Sequence, residues 1–498
     1  MRQIFRALTL LVLAAVLLTF TACTNPAETE ETTPAAGTTD SSPEGETEAP
    51  WQDNLPELDF GQQEVRFISR DSDWVRGEIA VGEQTGDLIN DAIFNRNIAV
   101  EERLNLKIKN YEIPGGNYVV SEEIRTAVKS GTDDYDLLAN SVYSTIMYTA
   151  ENLFYNLYDC EYLDLGQGYW SQGFNDAASI GNAQYMCTGS VALTLYRYMF
   201  VTFFNKNLFE SNNMDNMYDI VDSGRWTIDR QYEIASGFYR DLNGNSEADI
   251  RDRYGFLTTN RAYIDAYWSS CQLPILTKNA DNYYVYSPDK NRMVMAVDKI
   301  LNLWYNCPGS YIVESVSDAA DQIAGAAALA EGRAAMATLR LVSVESSELK
   351  NMADSYGIIP IPKLDELQER YYTFLHDQFT AFAIISTVRE EKLQMMGALL
   401  EAMASESAKS VTPVYYEIAL KTKYVSDEES GRMLDLIYDS IYIDAGVLYT
   451  KVLSSVHQQL RTIIRSKNNT VVSTFKTLDK IIEKQLGTLN ESIAAIQG

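Results

Sequence analysis

The chain has 498 residues, with 41 basic against 69 acidic side chains and a formal net charge of −28. That length exceeds one small core and predicts two or more lobes. The acidic balance excludes the basic surface that a nucleic-acid partner requires. Only two histidines occur, His376 and His457, which excludes a His-rich metal site and argues against a His-based triad.

Arg2 and Arg6 precede an apolar run, Ala7 to Phe20, and then Thr21-Ala22-Cys23. A basic start, a short apolar core and small residues before a cysteine predict a secretory leader over residues 1–23, not a stable membrane span. Residues 20–23 resemble a bacterial lipobox with Phe20 in place of the usual Leu, and the resemblance implies that Cys23 becomes a lipidated N-terminus. The alternative is an ordinary cleaved leader with an incidental cysteine. Residues 24–60 are rich in Thr, Glu, Pro, Ala, Gly and Ser and carry no Lys or Arg, so they predict a disordered acidic linker. Four further cysteines, Cys160, Cys187, Cys271 and Cys307, leave both disulfides and buried free thiols open, because spacing does not fix connectivity.

Val65 to Ser69 reads as a strand, Gly86 to Leu104 as an amphipathic helix, Leu106 to Ile108 as a second strand, Val119 to Lys129 as a helix and Tyr135 to Ala139 as a buried strand. This β-α-β-α-β run predicts a mostly parallel sheet with helices on both sides. Met199 to Phe204 reads as a buried strand, followed by Asn205-Lys206-Asn207-Leu208-Phe209. Trp226-Thr227 then opens a helix with Thr227 as its N-cap and Asp229 in the first turn.

Residues 241–252, DLNGNSEADIRD, place Asp241, Asn243 and Asn245 at positions 1, 3 and 5 of a calcium loop, with Asp249 at 9 and Asp252 at 12. Clustered oxygen donors suit a hard cation, with the Glu247 carbonyl as backbone ligand and a structural Ca2+ as the expected ion. Ser246 stands where Gly is usual and Asp252 where Glu is usual; the competing reading is an Asx-rich turn without metal.

Farther on, Arg261 to Leu276 carries Tyr263, Tyr267 and Trp268 on a predicted helix, and Ala319 to Leu329 is an Ala-rich helix closed by Gly332. Ala334 to Thr338, Tyr356 to Lys363 and Phe379 to Ile384 are short apolar strands, and Pro360 and Pro362 bar a central position for the second of them. Glu390 to Ala404 is a helix with a Leu/Met stripe of the core kind. Lys451 to Ile496 reads as two amphipathic helices broken near Ser466 to Asn469, packing across the lobes.

The order of these segments resembles the ABC-transporter extracellular solute-binding proteins, family 1, of the carbohydrate-binding lipoprotein type. The residues that carry it are Asn205-Lys206 with Leu208-Phe209, Trp226-Thr227, Gly332 with Ala334-Ala335-Met336, Tyr356-Gly357-Ile358 through Pro362-Lys363, and Ala383-Ile384. The resemblance covers residues 65–445. It implies an α/β, two-lobed periplasmic-binding-protein-like fold of class II type with a helical C-terminal extension. Lobe 1 would comprise residues 61–198 plus 383–430, lobe 2 residues 199–382, and residues 431–498 would pack on both. It also implies a monomeric, extracytoplasmic binding protein with no catalytic cofactor, which captures a carbohydrate, an oligosaccharide, and delivers it to ABC permease subunits.

A solute would sit in the cleft between lobes, where strands end in loops. Candidates are Arg70, Asp71 and Trp74 after the first strand, Asn140, Ser141 and Tyr143 after the third, and Tyr267, Trp268, Arg340, His376 and Asp377 from the second lobe. Aromatic faces and carboxylate, amide and guanidinium groups are what sugars call for, although most Tyr and Trp in a chain with 32 tyrosines belong to core or plain surface. A secreted glycosidase and a surface sensor or adhesion protein are the rival readings. Neither a G-x-S-x-G elbow, a Walker loop nor a dinucleotide fingerprint is present, and no diagnostic carboxylate pair stands out.

Overall fold

Apolar runs and capping residues place the elements. In the computed structural model, which describes residues 51–417, 420 and 427–497, β1 (Gln63–Arg70) leads into the helix Leu88–Leu104. Asp87 caps that helix by accepting from the amides of Ile89 and Asn90, and Asn105 ends it in the left-handed region at φ 48°. The strands that follow are β2 (Leu106–Ile113) and β3 (Leu137–Ser141), with the helix Asn117–Ser130 between them. The chain then crosses to β4 (Phe200–Asn205) and β5 (Tyr254–Thr259), passes through a small hairpin of β6 (Leu276–Lys278) and β7 (Tyr284–Tyr286), and adds β8 (Ser310–Val313), β9 (Ala334–Arg340) and β10 (Tyr356–Ile359). Finally come β11 (Thr373–Phe374), β12 (Thr380–Ile384) and β13 (Ile441–Tyr442), of which β11 and β13 pair with each other.

Two main sheets result. The first has the order β12-β3-β1-β2, parallel except for the antiparallel β3–β12 pair. The second has the order β10-β4-β9-β5-β8, with β10, β4 and β9 antiparallel and β9, β5 and β8 parallel. The returning strand β12 belongs to the first sheet from Thr380 onward, while β10 lies at the edge of the second, as Pro360 and Pro362 require. Trp226 is buried and donates from Nε1 to the Pro360 carbonyl at 2.8 Å, and Thr227 Oγ1 accepts from the Arg230 amide to cap the helix Ile228–Ser236. The end of that helix lies so close to the second sheet that a Cβ on Gly309 would fall 1.8 Å from the Ala235 oxygen; only glycine permits this approach.

Crossing segments link the sheets. Buried Glu78 gathers two of them: Oε1 accepts from the Thr194 amide (2.9 Å) and hydroxyl (3.1 Å), and Oε2 from the Thr380 hydroxyl (2.6 Å). The main apolar cluster runs through both sheets and the helices around them, with a small separate one at Leu257, Ala328 and Ala334. The last two helices, Gln458–Arg465 and Val471–Gln497, touch both sides. Asn490 donates to the Tyr284 carbonyl and Asp479 pairs with Lys290 on the second-sheet side, whereas Gln497 donates to the Ile180 carbonyl on the first.

Two expectations change, and one open alternative is settled. Residues 51–60, expected in the linker, pack on the first lobe: Asp53 is buried and takes both Arg103 guanidinium nitrogens at 2.7 and 2.5 Å, and the Ser405 hydroxyl donates to the Trp51 carbonyl. The helix expected over residues 261–276 is only a turn, Ala262–Asp265, followed by Ala266–Ser270. All four of Cys160, Cys187, Cys271 and Cys307 are buried free thiols. The leader, Cys23 and residues 24–50 lie outside the described residues. No helix among the described residues is long and apolar enough to cross a membrane.

Candidate ligand site between the two sheets

In open α/β sheets ligands bind beyond the carboxyl ends of the strands. Here those ends carry Arg70 on β1, Ser141 on β3 and Arg340 on β9. The segment between β11 and β12 runs past them. The His376 amide donates to the Tyr198 carbonyl (3.0 Å) just ahead of β4, and the Asp377 carbonyl accepts from the Tyr143 amide (3.0 Å) just after β3. His376 and Asp377 therefore sit where the two sheets meet, and both are buried.

Side chains from six parts of the chain converge on this point. His376 Nδ1 accepts the Gln378 amide at 3.3 Å and lies 3.5 Å from Asp377 Oδ1, and its Nε2 lies 3.8 Å from Asp318 Oδ2. Burial, then the Arg340 and Arg461 charges, push this imidazole well below its ordinary range, so it is neutral. With Nδ1 accepting, the proton resides on Nε2, toward Asp318. Arg340 lies 5.3 Å over the ring of Tyr198, whose ring meets that of His376 edge-on at 5.8 Å. From the C-terminal helices, His457 Nε2 reaches 3.4 Å from Asp265 and 3.8 Å from Asp377, while Arg461 clamps Asp265 through Nε (2.7 Å) and Nη2. Burial alone would raise the Asp265 carboxyl; Arg461 and His457 hold it down at about 2. Asp377 lacks such a clamp, and burial pushes it up to about 6.

Several buried polar atoms here have no hydrogen-bond partner among the described residues: Tyr263 Oη, Gln322 Nε2, Asp318 Oδ1, which has only Arg261 at 3.7 Å, and His457 Nε2, which has only the carboxylates of Asp265 and Asp377 at ion-pair distance. Gln322 Oε1 meanwhile accepts from Arg340 Nε at 2.8 Å. Unsatisfied buried donors and acceptors are costly, about 1–3 kcal/mol each, and call for a polar ligand or water between them.

The sequence candidates separate into groups. Arg70, Arg340, His376 and Asp377 meet at the junction, and Tyr143 stands at its edge, taking the Gln458 amide on its hydroxyl (3.0 Å) with Lys451 over its ring. Asn140 does not reach the junction. It is buried in the first lobe, where Nδ2 donates to the Asn117 carbonyl and the hydroxyls of Ser121 and Thr145, so it braces the helix ends behind β3. Tyr267 and Trp268 are core residues of the second lobe: the Tyr267 ring packs edge-on against Trp304 at 6.1 Å and its hydroxyl meets Gln231. Trp74 is half-buried and offers its carbonyl to Arg197 (3.3 Å), whereas Asp71 pairs at 2.6 Å with exposed Arg76. Asp265, Asp318, Tyr263, His457 and Arg461 are site residues that the sequence reading did not select. His457 carried a signal, as one of only two histidines.

A cavity of about 560 Å³ lies elsewhere, among Met147, Ala150, Val452 and the Lys480, Ile481 and Leu489 side chains of the last helix. Its walls also carry Lys484, Gln485, Thr488 and Ser492, so polar groups there come from one face of a single helix rather than from both lobes.

In the 241–252 loop Ser246 takes the left-handed φ of 62° at the position where Gly is usual. Asp241 accepts the amides of Gly244 and Ser246. Asp249 is surrounded by donors: the side-chain amides of Asn243 and Asn245, and the Arg251 guanidinium. Among the described residues no three His, Cys, Asp or Glu side chains are placed to hold a metal ion.

No protein-family model matches this sequence, and no curated protein matches it. Solved structures do. A solute-binding protein of an ABC transporter from Thermotoga lettingae, bound with alpha-D-tagatose, superposes with TM-score 0.54 at 12% identity, over 85% of this chain and 100% of that one. UgpB from Mycobacterium tuberculosis, in complex with glycerophosphocholine, gives 0.54 at 13% identity over 86% and 99%. The galacto-N-biose/lacto-N-biose I-binding protein from Bifidobacterium longum gives 0.54 at 11% identity over 86% and 98%. This chain thus has the two-lobed α/β fold of the ABC-transporter solute-binding proteins, with a helical C-terminal segment added.

Proposed function

We propose that this protein is an extracytoplasmic solute-binding component of an ABC importer, which captures a carbohydrate at the junction of its two lobes and passes it unchanged to membrane permease subunits. The observation that carries this reading is the set of buried donors and acceptors without hydrogen-bond partners around His376, from the second lobe and the C-terminal helices. Such a mixed set suits the hydroxyls of a saccharide, each of which donates and accepts. Binding is a ligand-shifted equilibrium between open and closed lobes, with no bond made or broken. Lipidation at Cys23 would hold the protein at the membrane, and an oligosaccharide is the size of solute proposed.

Melting the full chain against a panel of oligosaccharides, amino acids and peptides tests the reading. A saccharide that binds the folded state raises Tm, by about 2.7 kcal/mol of stabilisation at a hundredfold excess over Kd. A panel in which only amino acids or peptides raise Tm, or in which a saccharide is hydrolysed, overturns it.

The 241–252 loop is proposed to take a structural Ca2+. The support is the spacing of the oxygen donors at 241, 243, 245, 249 and 252 together with the left-handed φ of Ser246 at the sixth position; a bound ion would have to displace the Asn and Arg251 donors from Asp249. Chelator is expected to lower Tm and added Ca2+ to restore it, with Asp249→Ala insensitive to both. A Tm that ignores chelator in the parent chain refutes the ion.

A further inference from the structure

Arg70 and Arg340 are each 4% exposed, yet among the described residues neither guanidinium lies within salt-bridge range of a carboxylate. Arg70 donates from Nη2 to the Gln378 carbonyl at 2.5 Å, and Arg340 donates from Nε to the Gln322 side-chain oxygen. Both partners are neutral. Burying a guanidinium without a counter-ion is expensive, so a fold that does so twice at one place calls for an anion to complete it.

Among the described residues no acid pairs directly with either guanidinium. Asp265 is clamped by Arg461, Asp318 lies 3.7 Å from Arg261, and Asp377 stands between the two histidines. Glu78 favours the Arg70 charge from beyond ion-pair distance, with its oxygens hydrogen-bonded to Thr194 and Thr380. The two arginines come from opposite lobes, one at the end of β1 and the other at the end of β9. They approach the same place: Arg70 binds the residue after Asp377, and Arg340 covers the Tyr198 ring that abuts His376.

We infer that Arg70 and Arg340 form a two-lobed clamp for a negatively charged substituent, so that the captured solute is an acidic saccharide bearing a carboxylate or sulfate group. The inference rests on the saccharide reading above and narrows it. Guanidinium groups match such anions through paired N–H donors, and a clamp built from both lobes would form only when they close. The surrounding Asp265, Asp318 and Asp377 remain as acceptors for hydroxyls.

Calorimetric titration of the full chain tests this with three probes of equal length: a galacturonate oligosaccharide, its neutral galactose counterpart and a sulfated galactose counterpart. An anionic probe is expected to bind at least about tenfold more tightly than the neutral one, with the tighter anionic arm identifying the group. In Arg340→Gln and in Arg70→Gln that preference should shrink to about threefold or less, and Arg340→Lys, which keeps the charge, should retain more of it. If a glutamine variant fails to melt cooperatively, the comparison between the parent chain and Arg340→Lys still decides. Equal binding of neutral and anionic probes overturns the clamp and leaves saccharide capture standing. Binding of none of the three, with a different saccharide active in the melting panel, likewise overturns the clamp alone, whereas a panel without any active saccharide overturns both.

Discussion

Among the described residues, Glu401 in the first lobe has no cation paired with it. Tyr169 donates its hydroxyl to one carboxylate oxygen, and Trp170 Nε1 (2.9 Å) and the Asp164 amide (3.2 Å) donate to the other. Three hydrogen bonds favour the charged form, but burial outweighs them and lifts the carboxyl from 4.5 to about 7. A carboxyl raised on folding binds its proton more tightly in the native state. Its stabilising share is therefore full below about pH 4.5 and is lost as pH rises through about 7. Asp377 and Asp444, each raised to about 6, act in the same direction. Urea unfolding should show stability falling between pH 5 and pH 8, and Glu401→Gln should flatten that slope, by up to about 3 kcal/mol across the range. A slope unchanged in the glutamine variant removes Glu401 from the account. None of this shows locally in the sequence, where Glu401 is one acid in a helix whose Leu/Met stripe draws the eye. Its burial depends on Tyr169 and Trp170, more than 200 residues away.

At the scale of elements, the helix Val471–Gln497 couples the parts. Its buried face holds Ile482, Leu486, Leu489 and Ile493, and its polar contacts reach Lys290, Tyr284 and Ile180. Leu486→Ala should cost about 2–5 kcal/mol by urea unfolding, because the side chain is nearly inaccessible and its loss leaves a cavity. A cost below about 1 kcal/mol would mean that the helix packs loosely. Existence and type of such elements were legible from periodicity and caps: Asp87, Thr227 and the break before Val471 mark real boundaries. Side-chain destination was harder to read. Tyr267 and Trp268 follow a strand end, as ligand-facing aromatics do, but their short helix turns both into the second-lobe core. Asn140 ends a sheet strand as anticipated, yet the Ser and Thr hydroxyls behind β3 claim its amide. In contrast, His457 and Arg461 come from a segment that reads only as amphipathic helix packing across the lobes, and tertiary packing alone carries them to Asp265.

For the whole molecule, the two sheets keep separate hydrogen-bond ladders but share one apolar cluster, and Glu78 ties two of the crossings together. The terminal helices add a connection that no crossing strand provides, since they grip one half through Lys290 and Tyr284 and the other through Ile180. Parting the halves must therefore peel this helix from one of them. Arg461 and His457 ride on the segment just before it, so the same peeling withdraws two groups from beside Asp265 and Asp377. On the proposed function, cargo discharge and tail undocking would be a single event, and the dwell time of a trapped molecule would depend on how firmly the tail holds as well as on the pocket.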